Sequence, residues 1–497
     1  MYLSKSKYCR LWQCAKQLWL DANHPELQTE DPSREDRMTA GNEVGDLAMG
    51  LFGDYTEVTV LKEDGRPDIS AMIEKTKVCM DAGVENICEA SFSYEGLYCA
   101  VDILRKQDGG YAIYEVKSST HEAEIYGVDI AYQKYVLEHC GVRVTGTYLV
   151  CINSDYVRGE ELDITQLFKI VDMTDWVALE TPLLPSRLKL AEKTLASTEE
   201  PICDIGEHCT NPYDCAYWAY CSRHLPTPSV FDLYRLSGKR KFEYYRKGMV
   251  SYEDMLAAPK LNEKQVRQIQ FQLTDCGDHI DQGGIQDFLN TLSYPLYFLD
   301  FETMQPVIPP YPGTKPYQQI PFQYSLHYIE EPGGELKHKE YLAESGVDPR
   351  RAIAESLCRD IPWSVCVTAY NKGFECGRLK EMAAQFPDLA GHLLNIQDNI
   401  RDLLTPFQSG YYYNRAMGGS FSIKSVLPAL FPDDPSLDYH NLEGVHNGSE
   451  AMTVFPKIKD MPSEEQVIAR KNLLAYCKLD TYAMVKVWEA LVKAVQE

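Results

Sequence analysis

The stretch YFLDFET, residues 297–303, constrains the fold of this chain more than any other segment. Tyr297, Phe298, Leu299 and Phe301 give it the apolar character of a strand buried in a sheet. Its end carries two carboxylates, Asp300 and Glu302. Residues two apart on a strand project from one face, so the two acids sit side by side. Carboxylates that close repel, and one tends to take up a proton. A divalent cation between them removes the conflict, and Mg²⁺ and Mn²⁺ favour oxygen ligands. The plain alternative is a solvated strand end. The pair points to a metal site only if further carboxylates join it.

Two later segments supply them. Glu375, in YNKGFE, follows an apolar stretch at the expected start of a helix. In LLAYCKLDTYAMVKVWEAL (473–491), an amphipathic helix by its spacing, Tyr476 and Asp480 are four apart and share a face. The set Asp300, Glu302, Glu375, Asp480 and Tyr476 resembles the DEDD exonuclease superfamily. LDFET matches its first motif, the acid of YNKGFE its second, and Tyr476-x3-Asp480 its tyrosine-type third. The second-motif acid is usually Asp; Glu375 is one methylene longer. The resemblance covers roughly 200 residues and implies an RNase H-like fold with two Mg²⁺ or Mn²⁺ ions held by the four acids. Tyr476 would orient the attacking water, since a phenol is a poor base at neutral pH.

At 497 residues the chain exceeds one ordinary core, and two or three domains are expected. The first block contains AVDILRKQDGGYAIYEVKSST (100–120). QDGG is a hairpin turn signal, and the hairpin brings Asp102 near the strand of Glu115 and Lys117, which share a face. Two carboxylates bind a metal, and a lysine stabilises the charge that develops on hydrolysis. VDIL…YEVKSS resembles the PD-(D/E)XK nucleases of the RecB-like branch. GNEVGDLA (41–48) resembles the helical first motif, with Glu43 as an additional metal ligand. DIAYQKYVL (129–137) resembles the later helix, with Gln133 in its polar position. Val101 stands where the family has Pro, and the first motif has no His.

The block closes in CDIGEHCTNPYDCAYWAYC (203–221). An early Cys14 with late Cys209, Cys215 and Cys221 bracketing a RecB-like core resembles the iron–sulfur nucleases, AddB-like and CRISPR-associated exonuclease-like. That resemblance implies a [4Fe–4S] cluster on these four thiolates. Zinc is the competing reading, and His208 would serve it.

Between the blocks, YRLSGKRKFEYYRKG (234–248) interleaves six basic residues with four aromatics. That composition suits single-stranded nucleic acid, though a solvated helix face is the favoured reading. The formal charge of −24 argues against a protein that coats nucleic acid non-specifically. No run of 18 apolar residues is present, the N-terminal stretch lacks a signal-peptide core, and a cytoplasmic protein is expected.

The expectation is an α/β chain of two domains. Residues 1–225 form a RecB-like restriction-endonuclease-type core with the four-cysteine cluster. Residues 226–290 form a helical connector, and 291–497 an RNase H-like mixed sheet with flanking helices. The whole resembles an uncharacterised bacterial family fusing these two modules. The implied function is a metal-dependent nuclease, an exonuclease with DNA as its expected substrate. The alternative is a nucleic-acid-binding adaptor with degenerate sites.

Overall fold

The computed structural model describes residues 3–274 and 277–496. It is a mixed α/β structure of two compact units. One unit runs to His224 and also takes in Pro306–Tyr317. The other comprises Leu225–Gln305 and the chain from Gln318 onward.

The first unit is built on a seven-stranded sheet. Its strands are β1 (Leu3–Ser4), β2 (Thr56–Glu57), β3 (Asn86–Tyr94), β4 (Leu97–Gln107), β5 (Gly110–Lys117), β6 (Val144–Ile152) and β7 (Phe168–Asp172). The order is β2-β3-β4-β5-β6-β7, with β1 alongside the start of β4. The expected hairpin joins β4 and β5. Asp108 and Gly109 both take positive φ there, at 50° and 72°, as a tight two-residue turn between twisted strands requires. The β5–β6 pairing is parallel, and the helix Glu124–His139 makes the crossover. That helix and the first helix, Lys5–Gln13, cover one face over a core of Leu3, Tyr8, Leu104, Ile113, Tyr132 and Leu149. The other face packs Val44, Ile103, Tyr114 and Phe168, together with Val307, Ile308 and Tyr317.

Residues 306–317 were expected within the second domain, yet they complete this core. Arg158 donates to the Pro309 carbonyl at 2.8 Å, and Gly313 N–H donates to the Arg158 carbonyl at 2.7 Å. The Tyr317 hydroxyl donates to the carbonyl of Ser118, next to Lys117.

The second unit carries a five-stranded sheet, order β11-β10-β9-β12-β13, and a small ribbon of β8 (His279–Ile280) with β14 (Tyr412–Tyr413). The sheet strands are β9 (Leu296–Met304), β10 (Ile320–Ile329), β11 (Lys337–Leu342), β12 (Cys366–Ala369) and β13 (Ile400–Asp402). β9, β10 and β11 pair antiparallel, while β9, β12 and β13 pair parallel. Along β9 the pleat divides the side chains. Tyr297, Leu299 and Phe301 join a core with Ile353, Leu379 and Leu393. Asp300 and Glu302 therefore face the other way, toward the 32-residue helix Ser463–Ala494 that packs on β9 and β10.

Residues 226–290 are not a free-standing connector. Val230, Leu233, Leu236, Tyr244, Tyr252, Met255 and Ile269 form their own small core. Arg267 donates to the Gly410 carbonyl and Gln268 to the Gly418 carbonyl, each at 2.8 Å, and these bonds tie the segment into the second unit. The basic–aromatic stretch does not form a stacking platform. Phe242 and Tyr244 are buried, and Tyr234 packs edge-on against Phe421. Arg240 is spent on the Tyr244 hydroxyl and the Lys260 carbonyl. The aromatics shape a core, and the charges of Arg246 and Lys247 face solvent.

Among the described residues no helix is long and apolar enough to cross a membrane.

Candidate active sites

In the second unit Asp300 and Glu302 share the β9 face, as the alternation requires, and Tyr476 and Asp480 reach it from the long helix. Glu302, Glu375, Tyr476 and Asp480 are all buried. Glu375 sits in the first turn of the helix Gly373–Gln385. Its charge adds to those of Asp480 and Glu302 in raising Asp300. Burial, and then the neighbouring acids, push Asp300 and Glu302 well above the usual carboxylate range. Burial lifts Asp480 to about 6 and Glu375 to about 8. One carboxylate oxygen of Glu375, Oε2, is buried without a hydrogen-bond partner. Buried acids with mutual repulsion and an orphan oxygen are the environment that a bound cation would satisfy. Donor atoms of Asp300, Glu302 and Cys477 lie within 4.8 Å of one another.

Four neighbours of this site escaped the sequence reading. Tyr439 donates to Asp480 at 2.7 Å. The Lys424 ammonium stands 5.5 Å from the Tyr439 ring and 5.8 Å from the Tyr476 ring, and its charge draws Glu302 and Asp480 back down. Cys477 follows Tyr476 on the same helix. Gly448 opens the helix Gly448–Lys457, and a Cβ there would stand 3.6 Å from Glu302 Oε2 and 3.9 Å from the Tyr476 hydroxyl. Lys424 lies in GGSFSIKSVLPAL, a segment distinctive in the sequence. Its role had no spacing rule to announce it. Burial and the surrounding acids, Asp480 first among them, hold the Tyr476 hydroxyl far above its ordinary range, so it remains a donor.

In the first unit the hairpin does bring Asp102 beside Glu115. Asp102 Oδ2 accepts from Val116 N–H at 2.6 Å. Lys117 pairs with Glu115 and, at 3.2 Å, with Asp129. Gln133, fully buried, donates to Glu115 at 2.7 Å and to Asp129 at 3.0 Å. Its Oε1 has no partner. Burial raises Asp102 to about 6, helped by Glu115. Burial opposes charge on Glu115 as well, but Lys117 and Lys5 outweigh it and hold the carboxyl well below its usual range.

Asp129 was not singled out in the sequence, although its place four residues before Gln133 puts it on the same helix face. Nor was Glu89. It lies where the β3–β4 ladder skips one pair without changing register, opposite Asp102, and has φ +56°, an uncommon backbone for a non-glycine residue. Burial, and then the Asp102 charge, raise it to about 7. Lys5 bonds both oxygens of Glu115 at 3.0 and 3.1 Å. Glu43, expected as a ligand, is exposed on the helix Arg34–Ala48. A groove lined by Arg10, Arg34, Arg37, Tyr126 and Tyr213 opens onto Lys117 and Asp129.

Cys14, Cys209, Cys215 and Cys221 line one small cavity, together with Cys203 and His208. Cys14 Sγ is 3.7 Å from Cys203 Sγ, which is 3.6 Å from His208 Nε2. Five thiols and an imidazole around one cavity fit a soft or borderline metal.

Residues 297–422 match a family described as "Domain of unknown function (DUF2779)", a span that includes Asp300, Glu302 and Glu375. The chain is similar to the uncharacterized protein UU173 of Ureaplasma parvum serovar 3, at 27% identity over 247 residues. The match covers 44% of this chain and 34% of that relative, so the chain spans about a third of the curated relative's length. The family match lies wholly within the stretch 297–422, and the relative is itself described only as uncharacterized.

Proposed function

We propose that the chain is a metal-dependent nuclease with two hydrolytic sites, an exonuclease acting on DNA. The observation that carries this reading is the convergence of four acids, Asp300, Glu302, Glu375 and Asp480, in a buried site where each is pushed toward protonation. The strand order β11-β10-β9-β12-β13, antiparallel then parallel, supports an RNase H-like second unit. The antiparallel β3-β4-β5 run followed by a parallel β6 supports a restriction-endonuclease-type first unit.

The donors are oxygens, which suits Mg²⁺ or Mn²⁺. A divalent ion held there supplies a Lewis acid for a phosphate and lowers the pKa of water. The chain's own residues do the rest. Tyr439 fixes the rotamer of Asp480. The Tyr476 hydroxyl, kept protonated, orients a water by hydrogen bonding. Lys424 supplies positive charge beside the acids, complementary to a phosphate. In the first unit burial opposes the charge on Lys117, but Glu115 and Asp129 outweigh it and keep the ammonium charged. Gln133 locks the orientation of Glu115.

We also propose a [4Fe–4S] cluster on Cys14, Cys209, Cys215 and Cys221, which share the cavity. Zinc remains a second reading for one reason. The 3.7 and 3.6 Å separations among Cys14, Cys203 and His208 match the edges of a tetrahedron with Zn–S of about 2.3 Å and Zn–N of about 2.0 Å.

The test is degradation of end-labelled DNA and RNA, single- and double-stranded, in Mg²⁺ or Mn²⁺. Asp300→Ala and Lys117→Ala are compared with the parent chain. Metal-dependent release of nucleotides that both substitutions reduce supports the reading. No turnover on any substrate rejects it in favour of an adaptor.

A further inference from the structure

Lys5 stands where a cation bound by the first-unit acids would compete with it. Its Nζ reaches both oxygens of Glu115, at 3.0 and 3.1 Å, and Asp102 Oδ1 at 3.5 Å. This placement is built by the fold. Leu3 and Ser4 pair with Leu97 and Tyr98 at the start of β4. The Tyr132 hydroxyl donates to the Leu3 carbonyl and accepts from Tyr98 N–H at 3.2 Å. Ser4 accepts from Lys7 N–H and starts the helix Lys5–Gln13. Leu3 and Tyr8, on either side, are fully buried. The backbone at Lys5 is therefore fixed, and its partly exposed side chain reaches the acids from that fixed origin.

Lys117 does not do the same work. It reaches Glu115 and Asp129 from the strand itself and leaves Asp102 to Lys5. Around Glu115 stand Asp102, Asp129 and Glu89, so two lysines face four acids. A divalent ion held by Asp102 and Glu115 would bring the charge that Lys5 brings, to the same oxygens.

We propose that Lys5 is a tethered counter-ion that holds the Asp102–Glu115 pair in binding geometry when no metal is bound and must withdraw as a divalent cation enters. Lys5 is thus a positioning residue that sets the threshold of metal concentration at which the first site loads. This rests on the reading that Asp102 and Glu115 bind a cation.

The experiment uses the full chain with Asp300→Asn and Asp480→Asn, so that Mn²⁺ binding reports the first unit. Free Mn²⁺ is counted by electron paramagnetic resonance, and hydrogen exchange is followed in β4 and β5 with EDTA or saturating Mn²⁺. Lys5→Met is expected to tighten Mn²⁺ binding by about tenfold or more, because an ammonium no longer competes for the oxygens. It should also loosen β4 and β5 in EDTA, with protection restored by Mn²⁺. Lys5→Arg should return the EDTA protection toward the parent value. Unchanged or weaker Mn²⁺ binding by Lys5→Met overturns the proposal, as does equal loss of protection with and without Mn²⁺. Glu115→Gln separates the two failures. If Glu115→Gln abolishes binding while Lys5→Met leaves it unchanged, only the counter-ion is wrong. If Glu115→Gln leaves binding intact, the cation site itself is wrong and the counter-ion falls with it.

Discussion

Tyr439 donates a 2.7 Å hydrogen bond to Asp480 Oδ1, while Tyr476, one helical turn before Asp480 on the same helix, sets its ring 5.9 Å from that of Tyr439. The two phenols divide the work. Tyr439 lies away from the long helix and anchors the acid, and Tyr476 lines the carboxylate face. Tyr439→Phe should weaken metal binding a few-fold, because Asp480 loses its rotamer lock. Tyr476→Phe should leave metal affinity intact and slow hydrolysis by about 10²-fold, the scale of a positioned proton-handling group. Calorimetric Mn²⁺ titration beside single-turnover rates separates the two. Equal effects of both substitutions on affinity would refute the division.

The acids of the second unit predict a stability profile with a definite sign. Their folded-state values lie above those of the unfolded chain: Asp480 at about 6, Glu375 at about 8, Asp300 and Glu302 raised as well. A group raised on folding binds its proton more tightly in the native state. Its contribution is present at low pH and lost as pH rises through the folded value. In EDTA the melting temperature of the chain should therefore fall from about pH 4, the ordinary carboxylate value of the unfolded chain, up to about pH 8, the folded value of Glu375. Saturating Mn²⁺ should flatten that fall, and metal uptake should release protons. Glu375→Gln should remove the upper part of the fall. A metal-free profile that is flat over this range would show that these carboxyls are not forced together.

The cysteine cavity gives a choice with opposite signatures. A cluster on Cys14, Cys209, Cys215 and Cys221 makes anaerobically purified protein brown, with several irons per chain. Cys215→Ser then bleaches it, and Cys203→Ser leaves the colour. A tetrahedral zinc on Cys14, Cys203 and His208 gives colourless protein with one zinc, which Cys203→Ser and His208→Ala remove. Metal analysis of the four proteins decides between them.

The strand alternation in YFLDFET, the four-residue step from Tyr476 to Asp480 and the QDGG turn were all legible because each is a local rule. A face or a turn follows from spacing alone. The same rules do not reach across the chain. Lys5 arrives at Glu115 over 110 residues of sequence, and Tyr439 arrives at Asp480 over 41. Neither carries a periodic signal. Glu43 shows the converse failure. A motif resemblance placed it in the site, but the helix Arg34–Ala48 turns Val44 and Ala48 to the core and Glu43 to solvent. The basic–aromatic stretch left two readings open because composition does not say which side of a helix is buried.

The boundary of the units was also half legible, and the error has consequences. A cut before residue 291 would strip Val230, Tyr244 and Ile269, with their core, from the second unit. A first unit ending at His224 would lack Val307, Ile308 and Tyr317, which pack against Tyr114 and Phe168. The fragment 1–224 should therefore expose apolar surface, bind a hydrophobic dye and melt below the full chain. In the full chain, Tyr317→Phe removes the bond to the Ser118 carbonyl, a loss of about 1 kcal/mol. Because Ser118 follows Lys117, that loss should appear as faster hydrogen exchange at the end of β5, with β9 of the second unit unaffected. Unchanged exchange in β5 would mean that the inserted segment merely covers the first unit and does not brace the strand that carries Lys117.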